Sequence, residues 1–294
     1  MVAALDPLVR ELAGHVDVAH VMLGELAGLA RSLDVPTVIA PLDAWHRNVE
    51  ARAAITNGPA KLWRHAQARA VRRLESTEYQ HFSRVVLVTE EDASALHALN
   101  PSLPTVVIPN GVDAGHYAPD GRARSGVLFT GALNYPPNEQ AAVRLAERIM
   151  PLVRRSMPEA QLTLVGRSPG PRVRGLDATV IADAPDLRPY LWGAAVYACP
   201  MELGTGIKNK LLEAMAAGVP AVATPLACQG MVVANGIHLR IADDDAAFAS
   251  ALLETLRAPG DSAETARDYV RAHHDWDAVA DAYEATYQEI IDAH

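Results

Sequence analysis

The chain has 294 residues with a formal net charge of −9, and 50% of its residues are hydrophobic while only 5% are aromatic. This length allows two domains of ordinary size, each with its own core. The acidic balance excludes a general affinity for nucleic acid, which requires an excess of lysine and arginine.

The sequence shows no membrane-spanning segment and no metal-binding pattern of cysteines. No stretch approaches the ~18 uninterrupted apolar residues of a membrane span, and we expect no leader segment after Met1. Cys199 and Cys228 show no metal-ligand spacing, so we interpret them as reduced cysteines of a cytoplasmic protein.

Short apolar runs alternate with helical patterns along almost the whole chain, which predicts βα units and mostly parallel sheets. The first group of predicted strands covers residues 16–23, 36–41, 84–89 and 105–109. The second group covers residues 126–131, 161–166, 178–183, 195–200, 221–224 and 237–242. Residues 109–126 lie between the groups, and their Gly, Pro and Asp content without apolar periodicity is typical of a domain linker.

A basic helix is predicted over residues 61–82, between the second and third strands. Its cations are Lys61, Arg64, Arg69, Arg72 and Arg73. The simpler interpretation is a solvated helix face, and the alternative is contact with an anionic acceptor or a membrane surface.

Two strand ends of the second group carry candidate ligand-binding residues. Gly131 lies at a turn where a ligand can approach the backbone closely, although a simple tight turn favours the same residue. Asn138 follows near the start of the next helix. Gly166 and Arg167 end the following strand, where open α/β sheets bind their ligands, so Arg167 either neutralises an anion or faces solvent.

Residues 204–224, GTGIKNKLLEAMAAGVPAVAT, are the most informative segment. A glycine-rich loop with Gly204, Thr205 and Gly206 enters a helix between two predicted strands. Loop and helix start together present free backbone N–H groups and a positive dipole end, which favours phosphate binding. The Gly-x-Gly pattern alone is a weak signal, since many βα turns carry glycines.

Charged residues strengthen the phosphate interpretation of this segment. Lys208 and Lys210 lie at the helix start, where the dipole disfavours cations, so an anionic ligand explains them better than two solvent-exposed lysines do. Glu213 lies among apolar residues, where an unpartnered carboxylate is costly. It either pairs with Lys210 one turn earlier or accepts hydrogen bonds from vicinal hydroxyls, as acidic residues do with ribose in dinucleotide sites.

From Arg84 to its end, the chain resembles the GT-B glycosyltransferases of family 4, the retaining, metal-independent group. The resemblance is carried, in order, by residues 85–96, 108–113, 162–166, 183–191, 204–224 and 273–290. It implies an α/β fold of two Rossmann-like domains, the N-terminal one incomplete. The implied domains are an acceptor-side domain at 1–113, a nucleotide-sugar-binding domain at 114–275, and a last helix at 276–294 that packs back toward the N-terminal domain.

The resemblance also assigns roles to single residues. Glu213 corresponds to the family's ribose-binding carboxylate, and Lys208 and Lys210 lie in the stretch that approaches the diphosphate. Asp43 falls where many members have a histidine near the reacting sugar, and His46 lies beside it.

Three departures from the family pattern bear on these roles. Thr205 stands where the family often has a second glutamate. Ala132 and Pro137 replace an Arg and Lys pair that binds the diphosphate in many members, which leaves more of that charge to Lys208, Lys210 and Arg167. The first βα units of the family have no counterpart, which implies a reduced domain, a truncated chain or a site that another chain completes.

The predicted function is therefore a glycosyltransferase that moves a sugar from a nucleotide-diphosphate sugar to the hydroxyl of a small molecule, glycan or lipid-linked glycan, with anomeric retention. Asp43 and Lys210 are its predicted catalytic residues, and no metal or other cofactor is expected. The predicted donor site consists of Gly131, Asn138, Arg167, Gly204, Thr205, Gly206, Lys208, Lys210 and Glu213.

Two alternatives remain open. One is an inactive nucleotide-sugar binder or a donor-binding subunit that works as a homodimer or with a partner subunit. The other is a sugar-nucleotide epimerase or a phosphorylase on the same double-Rossmann scaffold.

Overall fold

A computed structural model of the protein describes residues 2–54, 58, 60–204 and 206–294. The chain divides into two compact units. Unit 1 consists of Met1–Pro109 and Val279–His294, and unit 2 consists of Asn110–Ala278. The linker predicted at residues 109–126 thus falls almost wholly within unit 2.

Unit 1 is built on a four-stranded parallel sheet in the order β1-β2-β3-β4. Its strands are β1 (Ala19–Met22), β2 (Thr37–Leu42), β3 (Arg84–Leu87) and β4 (Thr105–Val107). Its helices are α1 (Val2–Ala13), α2 (Trp45–Ala54), α3 (Ala60–Glu78) and α4 (Glu90–Leu99), with short 3-10 segments at Gly24–Ser32 and Tyr79–His81.

Successive side chains of a strand point to opposite faces of a sheet, and both faces of the unit 1 sheet are covered. Ile39 and Val85 lie in the cluster that also contains Tyr79, Phe82 and Leu96. On the other face, the core consists of Val38, Ala40, Val86 and Ile108 together with Val279 and Ile290. The last two belong to the final helix α12 (Trp276–Asp292), so most of this helix completes the core of unit 1.

Unit 2 is built on a six-stranded parallel sheet in the order β10-β9-β8-β5-β6-β7. Its strands are β5 (Ser125–Ala132), β6 (Leu162–Arg167), β7 (Thr179–Ala182), β8 (Ala194–Cys199), β9 (Ala221–Ala223) and β10 (Arg240–Ile241). Its helices are α5 (Pro136–Arg144), α6 (Met150–Ser156), α7 (Pro171–Arg174), α8 (Arg188–Gly193), α9 (Asn209–Ala216), α10 (Asp245–Arg257) and α11 (Ser262–His273), and a π-helical turn at Leu145–Ile149 joins α5 to α6.

The predicted α/β fold with two Rossmann-like domains is confirmed. Each of the ten predicted strands is present, with bounds that shift by a few residues. The largest difference is at β10, which spans only Arg240–Ile241 because Ile237 and His238 turn back to the carbonyl of Ala234. Among the described residues, no helix combines the length and the apolar character needed to cross a bilayer.

Candidate functional site

The strand order of unit 2 creates a crevice at the carboxyl ends of β5 and β8. These two strands are neighbours and pair in parallel. From β5 the chain continues to β6 and β7 on one side, and from β8 it continues to β9 and β10 on the other. Ligands of open α/β sheets bind where the outgoing connections diverge in this way. Gly131 lies one residue before the end of β5, and Cys199 ends β8.

The absence of a side chain at Gly131 lets two polar side chains reach the end of β5. A Cβ atom at this position would lie 2.9 Å from Asn138 Nδ2 and 3.0 Å from Lys210 Nζ. A larger residue would therefore displace the amide or the ammonium group. Gly131, Asn138 and Lys210, which the sequence predicts as donor-site residues, lie together in the structure.

Lys210 is held with its ammonium group at this strand end. Its Nζ donates a hydrogen bond to Asn138 Oδ1 and lies 5.0 Å from the centroid of the Phe129 ring. Asn138 donates from Nδ2 to Ala132 O over 3.0 Å, which turns its Oδ1 toward the lysine. The cation is thus positioned by a neutral amide and an aromatic ring rather than by a carboxylate.

Glu213 lies one turn after Lys210 on α9. Within the described part of the chain, no ion pair joins these two side chains, because Lys210 directs its ammonium group to Asn138. Burial raises the pKa of Glu213, while a hydrogen bond from Tyr117 and the charge of Lys210 act in the opposite direction. Burial also lowers the pKa of Lys210, against the opposing effects of Cys199 and Glu213. The structure therefore does not support the alternative in which Glu213 serves only to pair with Lys210.

The loop before α9 depends on its glycines and on Lys208. Gly204 and Gly206 have φ angles of 114° and 68°, which favour glycine. Lys208 is buried, with 7% of its surface exposed, and its Nζ donates to Gly206 O over 2.6 Å. The alternative of two solvent-exposed lysines is therefore wrong for Lys208. Thr205, a predicted donor-site residue in the same loop, lies outside the described residues.

Two arginines stabilise the opposite end of α9. Arg267 Nε donates to Ala216 O over 3.0 Å, and Arg124 donates to Ala217 O over 3.3 Å and to Gly218 O. Cations at a helix C-terminus bind unsatisfied carbonyls and complement the helix dipole. We infer that they offset the unfavourable placement of lysines at the other end of this short helix.

Contacts from the segment before β5 complete the surroundings of α9, and sequence reasoning missed them. Burial, with the neighbouring charge of Glu213, raises the pKa of Tyr117 to about 12. Asn110 Nδ2 donates to Asn209 Oδ1 over 2.9 Å at the first residue of the helix. Tyr117 and Asn110 lie more than ninety residues before α9, so no local sequence pattern predicts either contact.

Arg144 is a third residue that sequence reasoning missed. It is buried near the end of α5 and donates to Pro200 O over 3.2 Å and to Asp243 O over 2.7 Å. Its Nε also binds Asp245 over 2.7 Å. Because Pro200 follows β8 directly, Arg144 anchors the start of the connection that leads to Gly204.

A close contact between glycine backbones brings β5 and β6 together beside the crevice. A Cβ atom at Gly166 would lie 1.7 Å from Gly131 O. We therefore expect Gly166→Ala to destabilise unit 2 by more than ~3 kcal/mol, because backbone must move to accept the methyl group. Urea unfolding measures this effect.

Gly170→Ala is the matched control for this prediction. Gly170 has a φ of −69°, and a Cβ there would meet nothing within 4 Å. We expect its unfolding free energy to change by less than ~1 kcal/mol, because the lower entropy of the unfolded chain is opposed by the preference of a helix N-cap for Gly over Ala. Equal unfolding midpoints for Gly166→Ala and the wild type would contradict the assignment of this contact.

Arg167 pairs with Ala132 at the end of the neighbouring strand β5. It ends β6, its side chain is exposed, and its carbonyl accepts a hydrogen bond from Leu133 N over 2.9 Å. No hydrogen bond or ion pair joins the Arg167 side chain to another described residue. Nearby, Ser168 and Asp183 have φ angles of 50° and 52°, and Ser168 N donates to Asp183 Oδ1 over 2.9 Å. This bond fixes the two loops that follow β6 and β7.

Asp43 and His46 belong to unit 1: Asp43 lies in the turn that follows β2, and His46 is the second residue of α2. Asn48 donates to Asp43 Oδ2 over 2.6 Å, and burial raises the pKa of Asp43 more than this bond lowers it. His46 Nδ1 lies 2.6 Å from Oε2 of the fully buried Glu75, which also accepts the backbone N–H of His46. This contact fixes the start of α2 on α3, so His46 serves the structure of the turn beside Asp43.

No group of three or more His, Cys, Asp or Glu side chains among the described residues is placed to hold a metal ion. The two cysteines of the chain, Cys199 and Cys228, are buried, and burial raises the pKa of Cys199 to about 11 and that of Cys228 to about 12.

Comparison with known proteins identifies the segment that carries this crevice. Residues 124–258 match the family model described as glycosyl transferases group 1. The resemblance to the GT-B glycosyltransferases of family 4 is confirmed.

The chain also resembles curated mycobacterial proteins over a longer stretch. The chain is 30% identical over 207 residues to the phosphatidyl-myo-inositol mannosyltransferase of Mycobacterium tuberculosis, across 63% of this chain and 54% of that protein. It is 32% identical over 210 residues to the protein of the same name from Mycobacterium leprae, across 63% and 54%. The chain thus spans about half the length of the curated relatives it matches.

Solved structures share the fold over nearly the whole chain. Sucrose-phosphate synthase from Thermosynechococcus elongatus matches with a TM-score of 0.72 at 16% identity, covering 99% of this chain and 80% of that one. Anabaena HepE in complex with UDP matches with a TM-score of 0.76 at 13% identity, covering 97% and 82%. At these identities the likeness establishes the GT-B fold.

Proposed function

We propose that the protein is a retaining glycosyltransferase that binds a nucleotide-diphosphate sugar in the unit 2 crevice and transfers the sugar to an acceptor hydroxyl. The observation that carries the proposal is the placement of Lys210. Its ammonium group lies at the strand switch point, largely withdrawn from water and bonded to a neutral amide. A diphosphate would supply the negative charge that this cation lacks.

The proposed chemistry is electrostatic stabilisation of the leaving group. As the bond between the anomeric carbon and the diphosphate oxygen breaks, negative charge accumulates on the diphosphate. In this proposal Lys210, Lys208 and the N–H groups at the start of α9 would stabilise that charge, an effect typically worth ~3 kcal/mol for one well-placed donor. Because these cations belong to the protein, the proposal requires no metal ion.

The remaining predicted residues complete the proposed site. Glu213 would accept hydrogen bonds from the ribose hydroxyls, and Gly131 would allow the donor to approach the end of β5. Arg167, exposed at the end of β6, would approach the diphosphate from the other side. Asp43 is the second proposed catalytic residue and belongs to unit 1, where the turn after β2 is held by polar contacts.

The relatives indicate which substrates to test first. The curated mycobacterial proteins are named for mannosyl transfer to phosphatidyl-myo-inositol, and HepE has been solved with UDP-glucose. We therefore propose a panel of nucleotide-linked mannose and glucose donors, with phosphatidylinositol, short glycans and simple sugars as acceptors.

Proton NMR of the product tests the proposed reaction. We expect an α-linked donor sugar to give an α-linked product, in the presence of EDTA and with the purified chain alone. Binding of the donor without transfer to any acceptor would instead support the donor-binding subunit. Conversion of the donor sugar without an acceptor would indicate an epimerase, and dependence on free phosphate would indicate a phosphorylase.

The affinity for a nucleoside diphosphate should decrease at acidic pH in a manner that depends on Glu213. Burial raises the pKa of this carboxyl above its ordinary value of 4.5, so its protonated form begins to accumulate at a higher pH than in an exposed glutamate. A protonated carboxyl accepts fewer hydrogen bonds from ribose. Calorimetric titration of the wild type and Glu213→Gln between about pH 5 and 8 measures the difference.

The Glu213→Gln variant separates this effect from titration of the ligand. The diphosphate itself gains a proton in the same pH range, and both proteins should report that change equally. We expect the ratio of wild-type to variant affinity to fall as the pH is lowered. A ratio that stays constant with pH would contradict the proposed role of the carboxylate.

A further inference from the structure

The exposed face of α3 combines basic and apolar side chains. The helix packs inward through Ala68, Val71 and Glu75. On the opposite face, positions 62, 69 and 73 follow the i, i+7, i+11 spacing of a helical stripe and are occupied by Leu62, Arg69 and Arg73. This stripe, together with Lys61 and Trp63 at the start of the helix, is called the α3 surface below.

The charge of the α3 surface is uncompensated. Residues 60–74 contain no acidic residue, although the whole chain has a formal net charge of −9. Arg72 pairs with Glu50 over 2.8 Å, whereas the structure pairs none of Lys61, Arg69 and Arg73 with a carboxylate among the described residues. The surface therefore concentrates positive charge that the fold itself does not use.

The apolar part of the α3 surface lies beside these cations. Leu62 and Trp63 are 78% and 60% exposed. The guanidinium carbon of Arg64 lies 4.9 Å from the centroid of the Trp63 ring, and Lys61 precedes Trp63 by two residues. An exposed leucine next to an exposed tryptophan lowers solubility and contributes nothing to the core of unit 1. This exposure favours an interaction surface that covers the two side chains.

An anionic lipid bilayer matches both parts of this surface. Tryptophan partitions to the boundary between headgroups and acyl chains, and a basic helix face is attracted to acidic headgroups. A nucleic acid would engage the cations but gives no role to Leu62. We propose that the α3 surface docks the protein on a membrane that contains anionic phospholipids, with Leu62 and Trp63 entering the interface.

Vesicle co-sedimentation of the full chain tests this proposal. The probes are phosphatidylcholine vesicles with and without ~30% phosphatidylglycerol, at about 0.1 M salt. We expect the protein to sediment with the anionic vesicles and not with the neutral ones. The double variant Arg69→Glu/Arg73→Glu should lower the partition coefficient at least ~10-fold, since each basic residue near the surface contributes about fivefold. The double variant Leu62→Ser/Trp63→Ser should also lower it at least ~10-fold, because the apolar area that enters the interface is lost.

The matched control variants replace side chains of the same kinds, exposed arginines and an exposed apolar residue, outside the α3 surface. Arg155→Glu/Arg257→Glu alters the net charge equally at exposed positions of unit 2, and Val232→Ser removes an apolar side chain that is 88% exposed. Both controls should sediment like the wild type, and all variants should show wild-type circular dichroism melting curves.

Three outcomes would overturn the proposal. The first is wild-type protein that stays in the supernatant with anionic vesicles. The second is equal loss of binding in the controls. The third combines two results: the wild type binds heparin and the arginine variant does not, while Leu62→Ser/Trp63→Ser still binds the vesicles. That result would assign the α3 surface to a polyanion other than a lipid bilayer. None of these outcomes depends on whether the chain transfers sugar.

Discussion

Lys210→Met should lower the rate of sugar transfer at least ~100-fold without destabilising the protein. Lys210 is the cation held at the switch point by Asn138 and Phe129. Its loss would remove the charge that we propose to act on the leaving diphosphate. In the free protein, however, that charge is partly desolvated and lies near a helix N-terminus, where the dipole disfavours it. Methionine retains the apolar stem of the lysine.

The expected effect of Lys210→Met on the free energy of unfolding follows from the direction in which the pKa of Lys210 is shifted. Burial lowers the pKa of Lys210, which means that folding disfavours its charged form at neutral pH. Replacing the cation should therefore leave the free energy of unfolding unchanged or raise it, while activity falls. Such an opposition is expected of a residue placed for function rather than for stability.

Steady-state kinetics and urea unfolding of the same preparations measure both effects. Arg155→Met, which removes an exposed cation from α6, is the matched control and should retain wild-type activity. A Lys210→Met protein with near-wild-type kcat/KM would remove Lys210 from the proposed mechanism. A large loss of stability would show that the lysine serves the fold.

Glu213→Ala should abolish the preference of the protein for a ribonucleotide over its 2′,3′-dideoxy analogue. If the buried carboxylate binds the ribose hydroxyls, the wild type should bind the ribonucleoside diphosphate ~100-fold more tightly than the dideoxy form, because hydrogen bonds to a charged group contribute ~1.5–3 kcal/mol each. The variant should bind both forms with similar, weaker affinity. Transfer should fall at least ~100-fold as well.

This comparison is a double-mutant cycle between one side chain and two ligand hydroxyls. Glu159→Gln, at an exposed position before β6, is the control and should keep the wild-type preference. If Glu213→Ala retained the full preference for ribose, the hydroxyls would have to bind elsewhere. If Glu213 had only a structural role, Glu213→Ala would weaken the binding of both nucleotides equally. The ratio of their affinities would then be the same in the variant as in the wild type.

The part of the site that could be predicted consists of residues that lie close together in the sequence. The loop of Gly204 and Gly206, the two lysines and Glu213 all lie within ten residues. The helical period places Lys210 and Glu213 one turn apart. The strand pattern likewise predicts the sheet, since buried parallel strands give short apolar runs. From these features the crevice could be expected at the carboxyl ends of the strands.

The remaining contacts depend on long-range packing. Asn138 reaches Lys210 across 72 positions, and Arg144 reaches Pro200 across 56. The arginines that cap α9, Arg124 and Arg267, lie far before and after it in the chain. An arginine has the same local pattern whether it faces solvent or caps a distant helix, so only the fold reveals these roles.

Calorimetric titration of the purified chain with uridine, guanosine and adenosine diphosphates in EDTA tests whether unit 2 binds a nucleotide without a metal ion. We expect at least one of them to bind with a stoichiometry of one per chain and a dissociation constant on the order of 1 μM to 1 mM, the usual range for enzyme substrates, and we expect Lys210→Met to weaken this binding. If none of the three binds at millimolar concentration, or if binding requires a divalent metal ion, the unit 2 crevice is not the metal-independent nucleotide-sugar site proposed for it.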